Sequence, residues 1–202
     1  MERTLVKKTA SNVKVPDALI REEIDGKPYY YKGYKAVLNK EKTLPDIMGS
    51  SGLQSFIVEI LFRFFIAYIP RKSYRIFTNE VGGHIRKGTN LSFDIAIFDK
   101  KILPLDKITP YYTNVPPKMV FEIDVKIEAE DEDAFSYVQA KTDTLFEYGS
   151  ELVVWVLTKQ KKLLVARPGS ELQFVKWEED VEVIEGVVLN LAQLIKEEEE
   201  LG

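Results

Sequence analysis

Five side chains concentrate the chemistry this sequence can offer: Asp94, Glu122, Asp124, Lys126 and Lys141. In "VFEIDVK" the alternation of a strand puts Glu122, Asp124 and Lys126 on one face and Phe121, Ile123 and Val125 on the other. Two acids and a lysine thereby converge. The preceding "LSFDIAIF" repeats the pattern, with Phe93, Ile95 and Ile97 on one face and Asp94 between the small Ser92 and Ala96 on the other. An unpaired carboxylate in mid-strand within an apolar core costs on the order of several kcal/mol, so these acids call for a cation, and a divalent metal is one such partner. Further along, Ala134, Val138, Lys141, Leu145 and Tyr148 form one stripe at helical spacing, and Lys141 is the charged interruption in it. In "SFIVEILFRFF", which is apolar almost all round, Glu59 is a further acid out of place.

Each of these has a purely structural alternative. Glu59 and Arg63 are four residues apart and can pair along a helix. Lys141 can run an apolar stem past the core and put its ammonium in water. Glu122 with Lys126 can be a ladder on a solvated sheet face. Asp94 is the hardest to dismiss in this way. His84, the single histidine, reads as a strand residue satisfied by backbone or water. The serines of "GSSG" have no histidine base in a nucleophile arrangement and read as a helix start.

The elements that must position these groups follow from the punctuation of the chain. Asp25-Gly26 lies between two strand-rich stretches and predicts a hairpin beside the core. After "GSSG" an apolar helix runs from about Leu53 to Ile69, where Pro70 stops it. Its length and its Gln54, Glu59 and Arg63 favour a buried helix over a membrane span. Strands are expected at 74–79, 84–87 beyond Gly82-Gly83, and 91–98, as a meander. A proline-rich loop then leads to the strand "KMVFEIDVKI", a helix from about Asp133 to Tyr148 ended by Gly149, and the continuous apolar strand "ELVVWVLT". "KLLVARPG", "LQFVKW" and "VEVIEGVVL" read as further strands before a short closing helix.

With 202 residues and 45% hydrophobic content the chain can bury one proper core. The expectation is a flexible segment over 1–18, a single domain over 19–196 and an acidic tail over 197–202. The absence of cysteine removes disulfides and thiolate metal sites, so any metal must be held mainly by oxygen. The polar, basic start is unlike a signal peptide, and a cytoplasmic protein without a membrane anchor is expected. The net charge of -4 is unevenly placed: residues 177–202 carry nine acids against Lys196, a net of -8, which leaves +4 on residues 1–176. That permits a nucleic-acid surface. Arg71, Lys72, Arg75, Arg86 and Lys87 are candidate phosphate contacts, but scattered basic residues are ordinary surface and are not counted as sites.

Asp94 in its "DIAIF" strand, the proline-led "PPKMVFEIDVK", and "KTDTLFEYGSELVVWVLT" with its lysine, "YG" and tryptophan strand together resemble the bacterial restriction endonuclease family of the PD-(D/E)XK nuclease superfamily, from about Tyr29 to Leu194. The resemblance implies an α/β (α+β) fold, a mixed sheet flanked by helices, here with an added N-terminal β-hairpin. It implies that Asp94 and Glu122 bind Mg²⁺, with Mn²⁺ as substitute, that a lysine orients or activates the attacking water, and that a homodimer hydrolyses DNA. In the superfamily's pattern the lysine lies two residues after the acid, where this chain has Asp124. Either Asp124-Val125-Lys126 supplies that spacing, or Lys141 delivers its ammonium from the helix. Glu122 with Lys141 close by is the favoured arrangement, with Asp124 as a possible second ligand and Glu59 as an added helix acid. The competing expectation is a catalytically silent module that binds nucleic acid or protein on the same scaffold.

Overall fold

The structure, a computed structural model, describes residues 15–123 and 132–201. Asp124 and Lys126, and the N-terminal segment up to residue 14, lie outside the described residues.

The Asp25-Gly26 turn, with both residues at positive φ, joins β1 (Ile20–Ile24) to β2 (Lys27–Tyr30) as an antiparallel hairpin. Two short helices follow, α1 (Tyr34–Leu38) and α2 (Pro45–Met48), then the long α3 (Gly52–Tyr68). Ser51 caps α3 by accepting from the Gln54 amide at 3.1 Å, so the "GSSG" serines do begin a helix. β3 (Tyr74–Arg86) and β4 (Thr89–Asp99) are a long antiparallel pair, β5 (Met119–Ile123) leads through α4 (Glu132–Tyr148) to the parallel β6 (Leu152–Leu157), and β7 (Lys162–Ala166) and β8 (Gln173–Lys176) extend the sheet antiparallel. A separate hairpin, β9 (Val181–Ile184) and β10 (Val187–Leu189), precedes α5 (Leu191–Leu201). Glu197 to Glu200 form the last turns of that helix.

This is a mixed sheet between helices, in the order β2-β1-β4-β5-β6-β7-β8 with β3 also paired to β4. One face buries Ile57, Leu61 and Phe65 of α3 against Ile95, Phe121 and Val154. The other buries Val138 and Leu145 of α4 against Val120, Val153 and Trp155. Packing on both faces explains why β6 is a continuous apolar run.

Three expectations change. The predicted strands 74–79 and 84–87 are one strand, because Gly82 and Gly83 continue it: a side chain on Gly82 would collide with the Tyr112 ring and one on Gly83 with the Phe93 ring. The irregularity lies earlier, at Asn79 and Glu80, both at positive φ, where β3 bulges opposite β4. Opposite that bulge Phe93 packs with Ala96 and Phe98 on the α4 side while Ile95 and Ile97 face α3, so strict alternation fails at Asp94. Finally, α3 is buried along one face only. The segment Pro45–Tyr68 is long and apolar enough by composition to cross a membrane, and Leu53, Phe56 and Ile66 of α3 are exposed.

Candidate active site

The site forms where the sheet forks. β3 covers one edge of β4 along its length, so β1 and β5 share the other edge. β1 pairs there at Asn90, β5 at Ile95 to Ile97, and between them the β4 backbone has no strand partner among the described residues. Buried peptide groups must still find partners. Ionisable side chains supply them: Glu22 of β1 accepts from the Ser92 amide at 3.0 Å and its hydroxyl at 2.9 Å, Lys141 donates to the Ser92 carbonyl at 2.7 Å, and Asp94 accepts from the Ile123 amide at 2.7 Å.

Around that gap the charges interlock. Lys141, fully buried on α4, donates to Glu22 at 2.7 Å and stands 3.0 Å from Oε1 of Glu122. Phe93, Tyr137 and Trp155 lie with their ring centres 5.7–5.8 Å from its ammonium, a dry aromatic box that strengthens every charge inside it. Tyr137 donates its hydroxyl to the second Glu22 oxygen at 2.7 Å. Asp94, 5% exposed, takes a further bond from the Gln54 side chain at 3.2 Å. Glu122 is the exception to this satisfaction. Its Oε1 is buried, at ion-pair distance from Lys141, yet receives no hydrogen bond among the described residues.

Electrostatics sorts the roles. Burial works against the Lys141 charge, but Glu122 and Glu22 outweigh it and hold the amine firmly protonated. It is therefore a fixed cation and not a proton acceptor at neutral pH. Burial would raise Glu22, yet the charges of Lys141 and Arg21 and the hydrogen bonds from Lys141 and Tyr137 bring it below the usual carboxylate range. Glu122, by contrast, is pushed up to about 8, by burial first, with Asp94 and Glu22 adding to the effect and Lys141 opposing it. Arg21 on β1 is burdened by burial but held charged by Tyr137, Glu22, Glu122 and Asp94. Three carboxylates against two cations leave negative charge uncompensated, and Glu122 is where it falls.

The geometry thus brings together Asp94, Glu122 and Lys141, and adds Glu22, Tyr137, Arg21 and Gln54. Glu59 does not join them: it is 52% exposed and pairs with Arg63 at 2.6 Å, the same arginine that reaches Glu198 of α5. The Lys141 ammonium does not run out to water either, and Glu122 is not on a solvated ladder. His84 bonds Asn90 at 2.7 Å at the surface. Arg86 is tied to Asp25 and Glu147.

A cleft of about 380 Å³, lined by Ser50, Gln54, Thr78, Asn79 and Glu80 among others, opens onto Asp94. A larger one of about 510 Å³, around Lys118, Glu151 and Arg167, gathers no buried ionisable cluster, so chemistry favours the smaller. No three histidines or acids among the described residues form a ready metal cage. Asp94 and Glu122 nevertheless suit a hard divalent cation of the kind held by one or two carboxylates plus water and phosphate oxygens, and the orphaned Glu122 oxygen is the feature such a cation would satisfy.

No protein-family model matches the chain, and no curated protein matches it in sequence. Its fold is shared with a solved structure. A protein of Anabaena variabilis ATCC 29413, described as "a putative nuclease belonging to DUF820", is similar to it with a TM-score of 0.64 at 15% identity, over 87% of this chain and 89% of that one.

Proposed function

We propose that this protein is a Mg²⁺-dependent nuclease of the PD-(D/E)XK kind that hydrolyses DNA phosphodiester bonds. The observation that carries the reading is the meeting of Asp94, Glu122 and Lys141 in one buried cluster with an unsatisfied carboxylate oxygen beside a fixed ammonium. The description of the Anabaena protein as "a putative nuclease" supports it.

Asp94 and Glu122 would hold the cation. When bound, a Mg²⁺ ion polarises a phosphoryl oxygen and lowers the cost of generating hydroxide. The chain's own part is chiefly electrostatic. Lys141 offers positive charge to the phosphorane as it forms, already oriented by Glu22 and the Ser92 carbonyl, so little reorganisation is needed at the moment of reaction. Tyr137 and Ser92 hold Glu22 in turn. Gln54 and the Ile123 amide fix the Asp94 carboxylate, and Glu122 would have to give up its proton to hold a cation.

Titration calorimetry with Mg²⁺ and Mn²⁺ on the wild type and on Asp94→Ala tests this without knowledge of the substrate. Binding by the wild type and its loss in the variant is the expected result. Absent or equal binding in both would favour a silent module that uses the same scaffold to bind nucleic acid or protein.

A homodimer in the cytoplasm belongs to the same reading. Leu53, Phe56 and Ile66 give α3 an exposed apolar face that a second copy would cover. Light scattering after gel filtration should return twice the chain mass, falling to the chain mass in Phe56→Glu; a monomeric wild type would remove this element.

A further inference from the structure

Two interruptions of the sheet meet at Asp94. On the β3 edge of β4, Thr78 faces Ile95 and Val81 faces Phe93, so Asn79 and Glu80 together stand opposite Asp94. On the β5 edge, Ile95 faces Phe121, and the same register continued would set Phe93 against Ile123. The Ile123 amide donates instead to the Asp94 carboxylate. Asn79 and Glu80 are both left-handed, with φ of 72° and 52°, a conformation that asparagine tolerates and glutamate rarely adopts. Strained backbone of this kind persists where the surrounding structure holds it in place, and it gathers at functional sites.

The bulge changes what Asp94 can reach. Ile95 and Ile97 face α3 while Ala96 and Phe98 face α4, so in an unbroken strand Phe93 would join the isoleucines and Asp94 would turn toward α4. Lys141 is buried in that layer, and a carboxylate delivered there would be neutralised by its ammonium. The bulged strand exchanges the two residues. Phe93 lies on the α4 side, where its ring fills the space left by the missing side chain of Gly83, a Cβ there meeting the ring at 2.8 Å, and forms one wall of the box around Lys141. Asp94 is bonded by the Ile123 amide from β5 and the Gln54 side chain from α3, and it opens on a cleft that Thr78, Asn79 and Glu80 themselves line.

We propose that the Asn79-Glu80 bulge is a positioning device for Asp94: its backbone turns the carboxylate away from the α4 layer and presents it in the cleft, free to take a divalent cation. The proposal rests on the metal-dependent reading of the site and adds Asn79 and Glu80 to it as positioning residues. They act through the conformation of β3 and not through their own side chains.

The test separates backbone from side chain at one exposed position. Glu80→Gly and Glu80→Val remove the same carboxylate, but glycine adopts the left-handed conformation freely and a β-branched residue does not. In titration calorimetry with Mg²⁺ on the full chain, Glu80→Gly should bind within about twofold of the wild type, and Glu80→Val about tenfold to a hundredfold more weakly. Relief of strain should also raise the melting temperature of Glu80→Gly by about 2 °C. Equal loss of affinity in both variants would assign the effect to the Glu80 carboxylate and overturn the proposal, as would wild-type affinity in both. Asn79→Gly and Asn79→Val repeat the comparison at the other bulge residue if Glu80→Val does not fold. Hydrogen exchange of the Ile123 amide in chelator reads the same geometry without metal: it should remain slow in the glycine variants and quicken about tenfold in the valine variants. Exchange that is equally slow in all of them overturns the proposal. A wild type that takes no Mg²⁺, with Ile123 exchange that still separates valine from glycine, would support the positioning of Asp94 by the bulge and sink the nuclease reading.

Discussion

Lys141→Met should cost about 3–5 kcal/mol of folding stability near pH 8, one of the largest effects available in this chain, because it leaves Glu22 and Glu122 buried without their shared cation. The side chain of methionine is of comparable length, so the loss does not come from a cavity. The cost should shrink as the pH falls, since carboxyls that can take up a proton no longer carry an unpaired charge into the core. Urea denaturation of the wild type and variant across pH measures this directly. A loss independent of pH would mean that Lys141 acts through packing alone. Adding Glu22→Gln to Lys141→Met should recover part of the stability at pH 8, as the carboxylate that Lys141 holds ionised is then neutral. Cleavage should not recover with it. On the electrostatic role argued for Lys141, its removal lowers the rate by about a hundredfold to a thousandfold whether or not the fold is rescued.

The second large effect belongs to Glu122 and has the opposite sign for stability. A carboxyl raised from 4.5 to about 8 on folding is bound to its proton in the native state where the unfolded chain has released it. Its contribution to stability is fully present below 4.5 and is lost as pH rises through about 8, a change of at most a few kcal/mol at order of magnitude. Glu122→Gln cannot ionise, so in chelator the variant should match the wild type near pH 5 and exceed it above pH 8. Thermal melts across that range check the slope. The same substitution should abolish the gain in stability that Mg²⁺ gives the wild type, and Mg²⁺ affinity of the wild type should rise with pH and level off above about 8. A wild type whose stability climbs between pH 5 and pH 8 by this amount would reverse the assignment of Glu122 as the group that carries the excess charge.

Much of this site was legible in the chain because ionisable residues interrupted apolar patterns. Asp94 and Glu122 stood in strands whose neighbours had to be buried, and Lys141 stood in the stripe of a helix that had to face them. Glu22 gave no such signal. It lies in "IREEIDG", where Arg21, Glu22 and Glu23 are consecutive charges, and nothing in that spacing distinguishes a carboxylate turned into the sheet from its neighbours. The hairpin read as a flank became a supplier of the site only through the pairing of Glu23 with Asn90, a contact between residues far apart in sequence. The shift of Phe93 to the α4 side was hidden for a related reason. It depends on a bulge in the partner strand at Asn79 and Glu80, and alternation read along one strand cannot register an irregularity in another. Glu59 is the converse case: an acid among apolar residues marked a helix with one exposed face, and the pairing with Arg63 that its spacing allows is the one found.

The fork in the sheet has a consequence for how such a site would age. Asp94, Glu22 and Lys141 bond backbone groups that no strand supplies among the described residues. A lineage that ceased to cut would therefore gain nothing by discarding them, since each loss would open the sheet at its centre. Glu122, which bonds no peptide group among the described residues and burdens the fold when ionised, would drift freely once catalysis was no longer required. In an assemblage of descendants, the one carboxylate with no structural employment is the residue whose presence or replacement separates working enzymes from retired ones.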